Sequence, residues 1–459
     1  MKKIIVVLLL FHGLYGFSQE QVFEKGKVID NVPVSGTDES YALYLPKNYD
    51  PNTLSSAIFI FDPSAQGKQG VSLFVEAAER YNHILICSNQ TRNHIKNNFD
   101  IINRLFNTVF STFNIDENQV YTAGFSGGSR LASTVAVLTN KIEGVIACGA
   151  GLSPTPDHTP NPSHSFSYVG LVGALDMNYH EMYNTQVFLQ KMNLENELFT
   201  NDDPHKWPEP SQLAKAIGFL ELQAYKKNRK PKNDALIQLL YEEWYLDGKR
   251  AEGNSDFPKA VEEYERLKRN FGRYYNLDSI TQRIARLKKS KEYKRQEKLR
   301  GTIEGEEERV KMVFFDRFQR EISAKTLPKK WKWWEKEVQK LREDYSEASD
   351  AALKQLGARV ENMLFAAAIE TANNKLIEKD VEKAIYCHRL LEIFSPEAPY
   401  PQFLLAKDYA LLNDKTKMLE HLYSAKEKGL SERKYIDGED AFQRFRNDRE
   451  FTEFVNGLK

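Results

Sequence analysis

The grammar of this chain changes near Lys227, and that change constrains its fold more than any other feature. Before it, short apolar runs alternate with helical stretches; after it, the strands stop. Val28–Val34 and Tyr41–Leu45 predict an opening hairpin. Strands are predicted at Ala57–Phe61, Ile84–Ser88, Val120–Ala123, Val145–Gly149, Tyr168–Gly173 and Glu197–Thr200. Between them, helices are predicted near Ser72–Tyr81, Asp100–Phe113, Ser126–Leu138, Glu181–Met192 and Pro210–Tyr225. Such alternation implies an α/β fold with a mostly parallel sheet and helices on both faces. The unbroken run Ala57 to Phe61 suits a strand buried on both sides. The polar stretch 228–234 contains Pro231 and reads as a linker. Beyond it, few Gly or Pro interrupt the periodic segments, which predicts an all-α region. Two domains follow, 19–227 and 228–459, and 459 residues leave room for them.

Composition removes several classes of function. Lys+Arg and Asp+Glu are both 64, so the formal charge is zero. Nothing calls for a nucleic-acid partner or an anionic membrane surface. A hydrophobic fraction of 41% is too high for a disordered chain. Three cysteines cannot build a disulfide scaffold or a four-thiolate zinc site. Lys2-Lys3, the apolar run Ile4–Phe11 and the small residues near Gly16 and Ser18 have the pattern of a secretory signal peptide over residues 1–18. That run is too short to span a bilayer, and no later segment is long and apolar enough. The expectation is an exported protein, secreted or periplasmic.

The chemistry lies in the first half. Gly124-Phe125-Ser126-Gly127-Gly128 is a G-x-S-x-G sequence between a predicted strand and a predicted helix. That context makes a nucleophile elbow, in which small neighbours let a tight turn push the serine hydroxyl out above the sheet. The backbone N–H of Gly127, at the helix start, then points to where an oxyanion would form. Read blandly, the same residues are a Gly-rich turn with a capping serine.

A serine hydroxyl needs a base to become a nucleophile. In this elbow class the partners follow in the order Ser, acid, His. Asp176 lies just past the strand ending at Gly173, and His205 follows the last strand of the domain. His180 is a rival base, four residues from Asp176. His158 and His164 precede the acid, and His83 and His94 precede the serine.

With these residues in place, 41–226 resembles the α/β-hydrolases of the esterase type. It is most similar to the secreted branch related to feruloyl esterases and polyhydroxybutyrate depolymerases. Tyr44-Leu45-Pro46, the Ser126 motif and Gly173 to Asp176 carry the resemblance, with His205, Trp207 and Pro208 around the base. It implies an α/β-hydrolase fold, a Ser126–His205–Asp176 triad and hydrolysis of carboxylic esters through an acyl-enzyme, with no cofactor and no metal. Two departures stand out. The paired glycines usual before the base are missing from Asp203-Pro204-His205. The His-Gly usual after the third strand is replaced by Asp62-Pro63-Ser64. Pro63 has no N–H to donate, so the second oxyanion donor falls to Ser64 or Ala65, and Ser64 is the choice. Arg92 and Trp207 are expected to contact substrate, although either serves equally well to order its loop. In that strand order Cys87 and Cys148 lie about 14 Å apart, too far for a disulfide. All three cysteines are expected free and mostly buried.

The helical half carries a weaker signal. Ala372 and Ala406, Leu391 and Ala425, and Pro396 and Leu430 are each 34 residues apart. That is the period of tetratricopeptide repeats, clearest over 365–430, with a further candidate at Trp244–Leu267. An ordinary helical bundle is the bland alternative. Trp331, Trp333 and Trp334 read as helix packing. The leading expectation is a secreted serine esterase acting on small-molecule or polysaccharide-linked esters, with a protein partner on the repeats. The alternatives are a serine peptidase or a non-catalytic hydrolase-like scaffold.

Overall fold

The computed structural model describes residues 23–459. The expected signal peptide lies outside them. Eight strands form one sheet: β1 (Val28–Pro33), β2 (Ser40–Tyr44), β3 (Ser55–Phe61), β4 (His83–Ser88), β5 (Ile115–Phe125), β6 (Gly144–Cys148), β7 (Ser167–Gly173) and β8 (Asn196–Asn201). Their order is β1-β2-β4-β3-β5-β6-β7-β8. The β1–β2 and β2–β4 pairs are antiparallel and every other pair is parallel. An antiparallel start, the β4–β3 crossover and a parallel remainder make this an α/β-hydrolase fold.

Five helices cover the two faces: α1 (Gly67–Tyr81), α2 (Asn98–Thr112), α3 (Gly127–Thr139), α4 (Tyr179–Lys191) and α5 (Pro210–Lys226). Strand periodicity sorts the core between them. Ile58 and Ile60 point to the face under α1 and α5, with Phe74, Ile217 and Leu220. Ala57, Phe59 and Phe61 point to the opposite face, with Leu105 of α2, Val135 of α3 and Leu189 of α4. Continuous apolar runs therefore serve two cores at once.

The remainder of the described chain is helical, as its sequence predicts. Helices α6 (Asp234–Gly253), α7 (Phe257–Phe271) and α8 (Asp278–Lys289) lead into the long α9 (Lys291–Ile322). The core does not divide at position 228. Ile237, Trp244, Tyr264, Phe271 and Leu287 join the same apolar cluster as α1 and α5, so α6–α8 form a further layer on that face. Helices α10 (Lys332–Leu341), α11 (Ala351–Ile377) and α12 (Val381–Phe394) share a separate core with α9. Trp334 is buried there and donates to Glu321, while Trp331 and Trp333 pack on neighbouring rings. Helices α13 (Pro399–Leu411), α14 (Lys415–Glu427), α15 (Lys434–Asp437) and α16 (Arg449–Asn456) close the chain around another.

Three helix pairs share one turn. Ser255, Lys379 and Asn413 have φ of 60°, 63° and 61°, and each precedes an aspartate. Asp256, Asp380 and Asp414 then cap α7, α12 and α14 by accepting the backbone N–H three residues on. Eight residues before each aspartate sits a buried small residue: Gly248, Ala372 and Ala406. A Cβ at Gly248 would lie 2.6 Å from the Tyr264 ring, so the paired helix takes the space. Cys87, Cys148 and Cys387 are free and buried. No helix among the described residues is long and apolar enough to cross a membrane.

Candidate active site

Ser126 sits between β5 and α3 with φ 52° and ψ −119°, a conformation that non-glycine residues adopt only under strain. The surrounding glycines make the turn possible by close approach. A Cβ on Gly124 would lie 2.2 Å from the Gly128 carbonyl carbon, and one on Gly128 would lie 2.0 Å from Phe61 O. Ser126 N–H donates to Cys148 O at 2.8 Å, anchoring the turn to β6. This strand–turn–helix arrangement has the geometry of a nucleophile elbow.

Two loops at the same edge of the sheet bring the other groups in. His205 Nε2 is 3.0 Å from Ser126 Oγ, and its Nδ1 is 2.8 Å from Asp176 Oδ2. An ionised carboxylate only accepts, so Nδ1 carries the proton and Nε2 is left to accept from the serine. Asp176 is 1% exposed. Its other oxygen accepts Asn178 N–H at 2.8 Å, and Asn178 Nδ2 donates to Gly149 O at 2.7 Å. Leu175 N–H donates to Asp203 O at 3.1 Å, which ties the acid loop to the histidine loop. The imidazole packs on Phe125, with ring centres 4.6 Å apart. Its side chain remains 19% exposed, so the site has an open face.

Four other histidines of this half are engaged elsewhere. His180 Nε2 donates to Glu307 at 3.0 Å, and His83 Nε2 pairs with Glu221 at 3.1 Å. His164 Nε2 meets Val137 O, and His158 Nδ1 lies 3.4 Å from Ser153 Oγ.

The segment after β3 departs from expectation. Ser64 N–H, assigned by sequence to the oxyanion, donates to Asp62 Oδ1 at 2.8 Å. Gln66 N–H reaches the same oxygen at 3.1 Å, and Ala65 N–H reaches Asp62 O at 3.3 Å. Asp62 Oδ2 accepts Trp207 Nε1–H at 2.8 Å. The loop thus closes on its own aspartate. Trp207 is packed against Phe74 and Phe125, so its indole supports the histidine loop from below. Arg92 is exposed, and its backbone pairs with Ser64 at the rim. Gly127 begins α3, so its N–H has no acceptor a turn back and is free to bind an anion.

Sequence reasoning misses Asp62 and the support behind Asp176. Asp62-Pro63 carries the signal of a side-chain-closed turn, so Asp62 is within its reach. The support comes from distant helices. Arg359 Nη1 of α11 donates to Ala174 O at 2.7 Å, and Asn362 Nδ2 donates to Leu175 O at 2.9 Å. Arg359 also binds Glu307 of α9 at 2.6 Å. Burial pushes the Glu307 carboxyl up, but hydrogen bonds from His180 and Arg359 and the charges of Arg359 and Lys311 hold it at about 2. A cavity of about 490 Å³ lies beside this network, lined by Tyr179, His180, Lys259, Arg300 and Arg359. Ser126, Asp176 and His205 do not line it.

No family model matches this chain, and no curated protein matches it. Solved structures do. The fluorophosphonate-binding serine hydrolase FphF of Staphylococcus aureus is 13% identical, covering 43% of this chain and 99% of its own, with a TM-score of 0.37. A ferulic acid esterase is 14% identical, covering 42% and 97%, with a TM-score of 0.35. A mutant feruloyl esterase module from Clostridium thermocellum, complexed with sinapinate, is 14% identical, covering 42% and 87%, with a TM-score of 0.33.

Proposed function

We propose that this protein is a serine hydrolase that cleaves carboxylic esters through an acyl-enzyme. The observation that carries the reading is the unbroken chain of short contacts from Ser126 Oγ through His205 to buried Asp176. Ser126 Oγ attacks the ester carbonyl carbon while its proton passes to His205 Nε2. The carbonyl electron pair moves to oxygen, which takes the free N–H of Gly127. Collapse breaks the bond to the alcohol, and His205 returns the proton to that leaving oxygen. Water then adds in the same way and releases the acid. Asp176 fixes the imidazole tautomer and stabilises the imidazolium. Arg92 is the rim group suited to a carboxylate or hydroxyl of the substrate.

A non-catalytic scaffold is favoured by one observation, the loop closed on Asp62, which leaves Ser64 without a free N–H. The helical half adds its own reading. Three hairpins with one turn geometry, two of them capped by aspartates 34 residues apart, support tetratricopeptide-like units that hold a protein partner. Export by the first 18 residues rests on their sequence pattern.

Turnover of short p-nitrophenyl esters by the mature protein, beside Ser126→Ala, tests the reading. Hydrolysis that disappears in the variant is expected. A folded wild-type protein with no turnover would transfer the function to the helical hairpins.

A further inference from the structure

An oxyanion needs more than one donor, and the usual source of the second is closed here. Pro63 has no N–H. The next three N–H groups all point to Asp62: Ser64 and Gln66 to Oδ1, and Ala65 to the carbonyl oxygen. Releasing one would leave Asp62, which is 5% exposed, short of a partner. A donor must reach Gly127 from elsewhere.

Asn93 does so. It follows β4 in the segment whose Ser64–Arg92 bridge lays it beside the elbow. Its own N–H donates to Pro63 O at 3.0 Å, which fixes the backbone across the mouth of the closed loop. Its carboxamide lies directly against Gly127. A Cβ built on Gly127 would meet Asn93 Oδ1 at 1.9 Å, Cγ at 2.6 Å and Nδ2 at 2.8 Å. The side chain occupies the space that a side chain after the nucleophile would fill. The carboxamide makes no hydrogen bond among the described residues, although both its ends are strong hydrogen-bonding groups. A half-turn about the Cβ–Cγ bond exchanges its NH2 and C=O ends at little cost.

We propose that the Asn93 side-chain amide, together with Gly127 N–H, stabilises the tetrahedral oxyanion. The proposal rests on the esterase reading above. It explains two oddities together: why the segment after β3 can lose its donors, and why position 127 is glycine. Asn93 Nδ2–H and Gly127 N–H converge on the carbonyl oxygen as it gains charge, and neither group changes its protonation state.

The test is steady-state hydrolysis of p-nitrophenyl acetate by wild type, Asn93→Ala, Gly127→Ala and the double variant. Inhibition by a trifluoromethyl ketone, which mimics the tetrahedral state, is measured beside it. Loss of one such donor costs about 100- to 1,000-fold in kcat. Asn93→Ala is expected to lose that much with KM changed less than about threefold, and inhibitor affinity should fall in parallel. Gly127→Ala keeps its N–H but evicts the carboxamide, so it should lose comparably. The double variant should then be little worse than Asn93→Ala alone. A side chain that merely packs would leave kcat near wild type. Active wild type with Asn93→Ala at full kcat overturns this proposal and leaves the esterase reading standing. Inactive, folded wild type overturns both.

Discussion

The two loops that flank Ser126 are held in opposite ways. The loop after β3 is closed from within: Asp62 takes two of its N–H groups and the Trp207 indole, and no helix beyond α5 is needed. The loop after β7, which carries Asp176, is held from outside by Arg359 and Asn362, more than 180 residues away in sequence. A self-closed loop draws its hydrogen bonds from residues near the sheet. A loop braced by α9 and α11 keeps its shape only while those helices are docked. The helical half therefore bonds directly to the Asp176 loop, whereas the Asp62 loop takes no side-chain hydrogen bond from it among the described residues.

Breaking the acid side should have the largest effect. Asp176→Asn keeps the shape but loses the charge that sets the histidine tautomer, and kcat should fall about ten-thousand-fold. Steady-state kinetics with an unchanged circular dichroism spectrum would check this. Arg359→Ala should come next, because it leaves buried Glu307 short of its partner and frees Ala174 O. A loss of about 3 kcal/mol in denaturant unfolding is expected, with kcat reduced more than KM is raised. Asn362→Ala removes one bond to Leu175 O and should cost about 1 kcal/mol. Trp207→Phe, on the oxyanion side, should cost a similar amount while leaving the response to helix variants unaltered.

The brace also responds to pH. The Glu307 carboxyl sits at about 2 in the fold, below its ordinary value. Its contribution is therefore present above about pH 4.5 and is lost as pH falls toward 2. Glu307→Gln should flatten that acid-side loss of stability in a denaturation series against pH.

Much of the sheet and of the Ser126–His205–Asp176 cluster is legible in the amino-acid sequence. Short apolar runs locate all eight strands, most plainly β3, β4, β6 and β7, which are buried along their whole length. Ser126, His205, which meets it, and Asp176, which meets His205, can be picked out because each lies just after a strand, where loops gather at one edge. Helix α1 begins at Gly67, five residues ahead of its predicted start, because Gly67, Lys68, Gln69 and Gly70 of its first turn supply two glycines and two exposed polar side chains and so no hydrophobic signal. Ser64 reads wrongly as a free donor because the fate of its N–H depends on a local turn made by Asp62. Arg359 is invisible because an ion pair 52 residues along, with Glu307, and a bond to Ala174 O depend on how α9 and α11 dock. Local chemistry reads from sequence; support across layers does not.

Labelling with a fluorophosphonate, followed by peptide mapping, addresses the nucleophile most directly. One phosphonyl adduct on Ser126, absent from Ser126→Ala and suppressed when His205 is replaced by Ala, is the expected result. A folded wild-type protein that takes no label, or takes it on another residue, would contradict it.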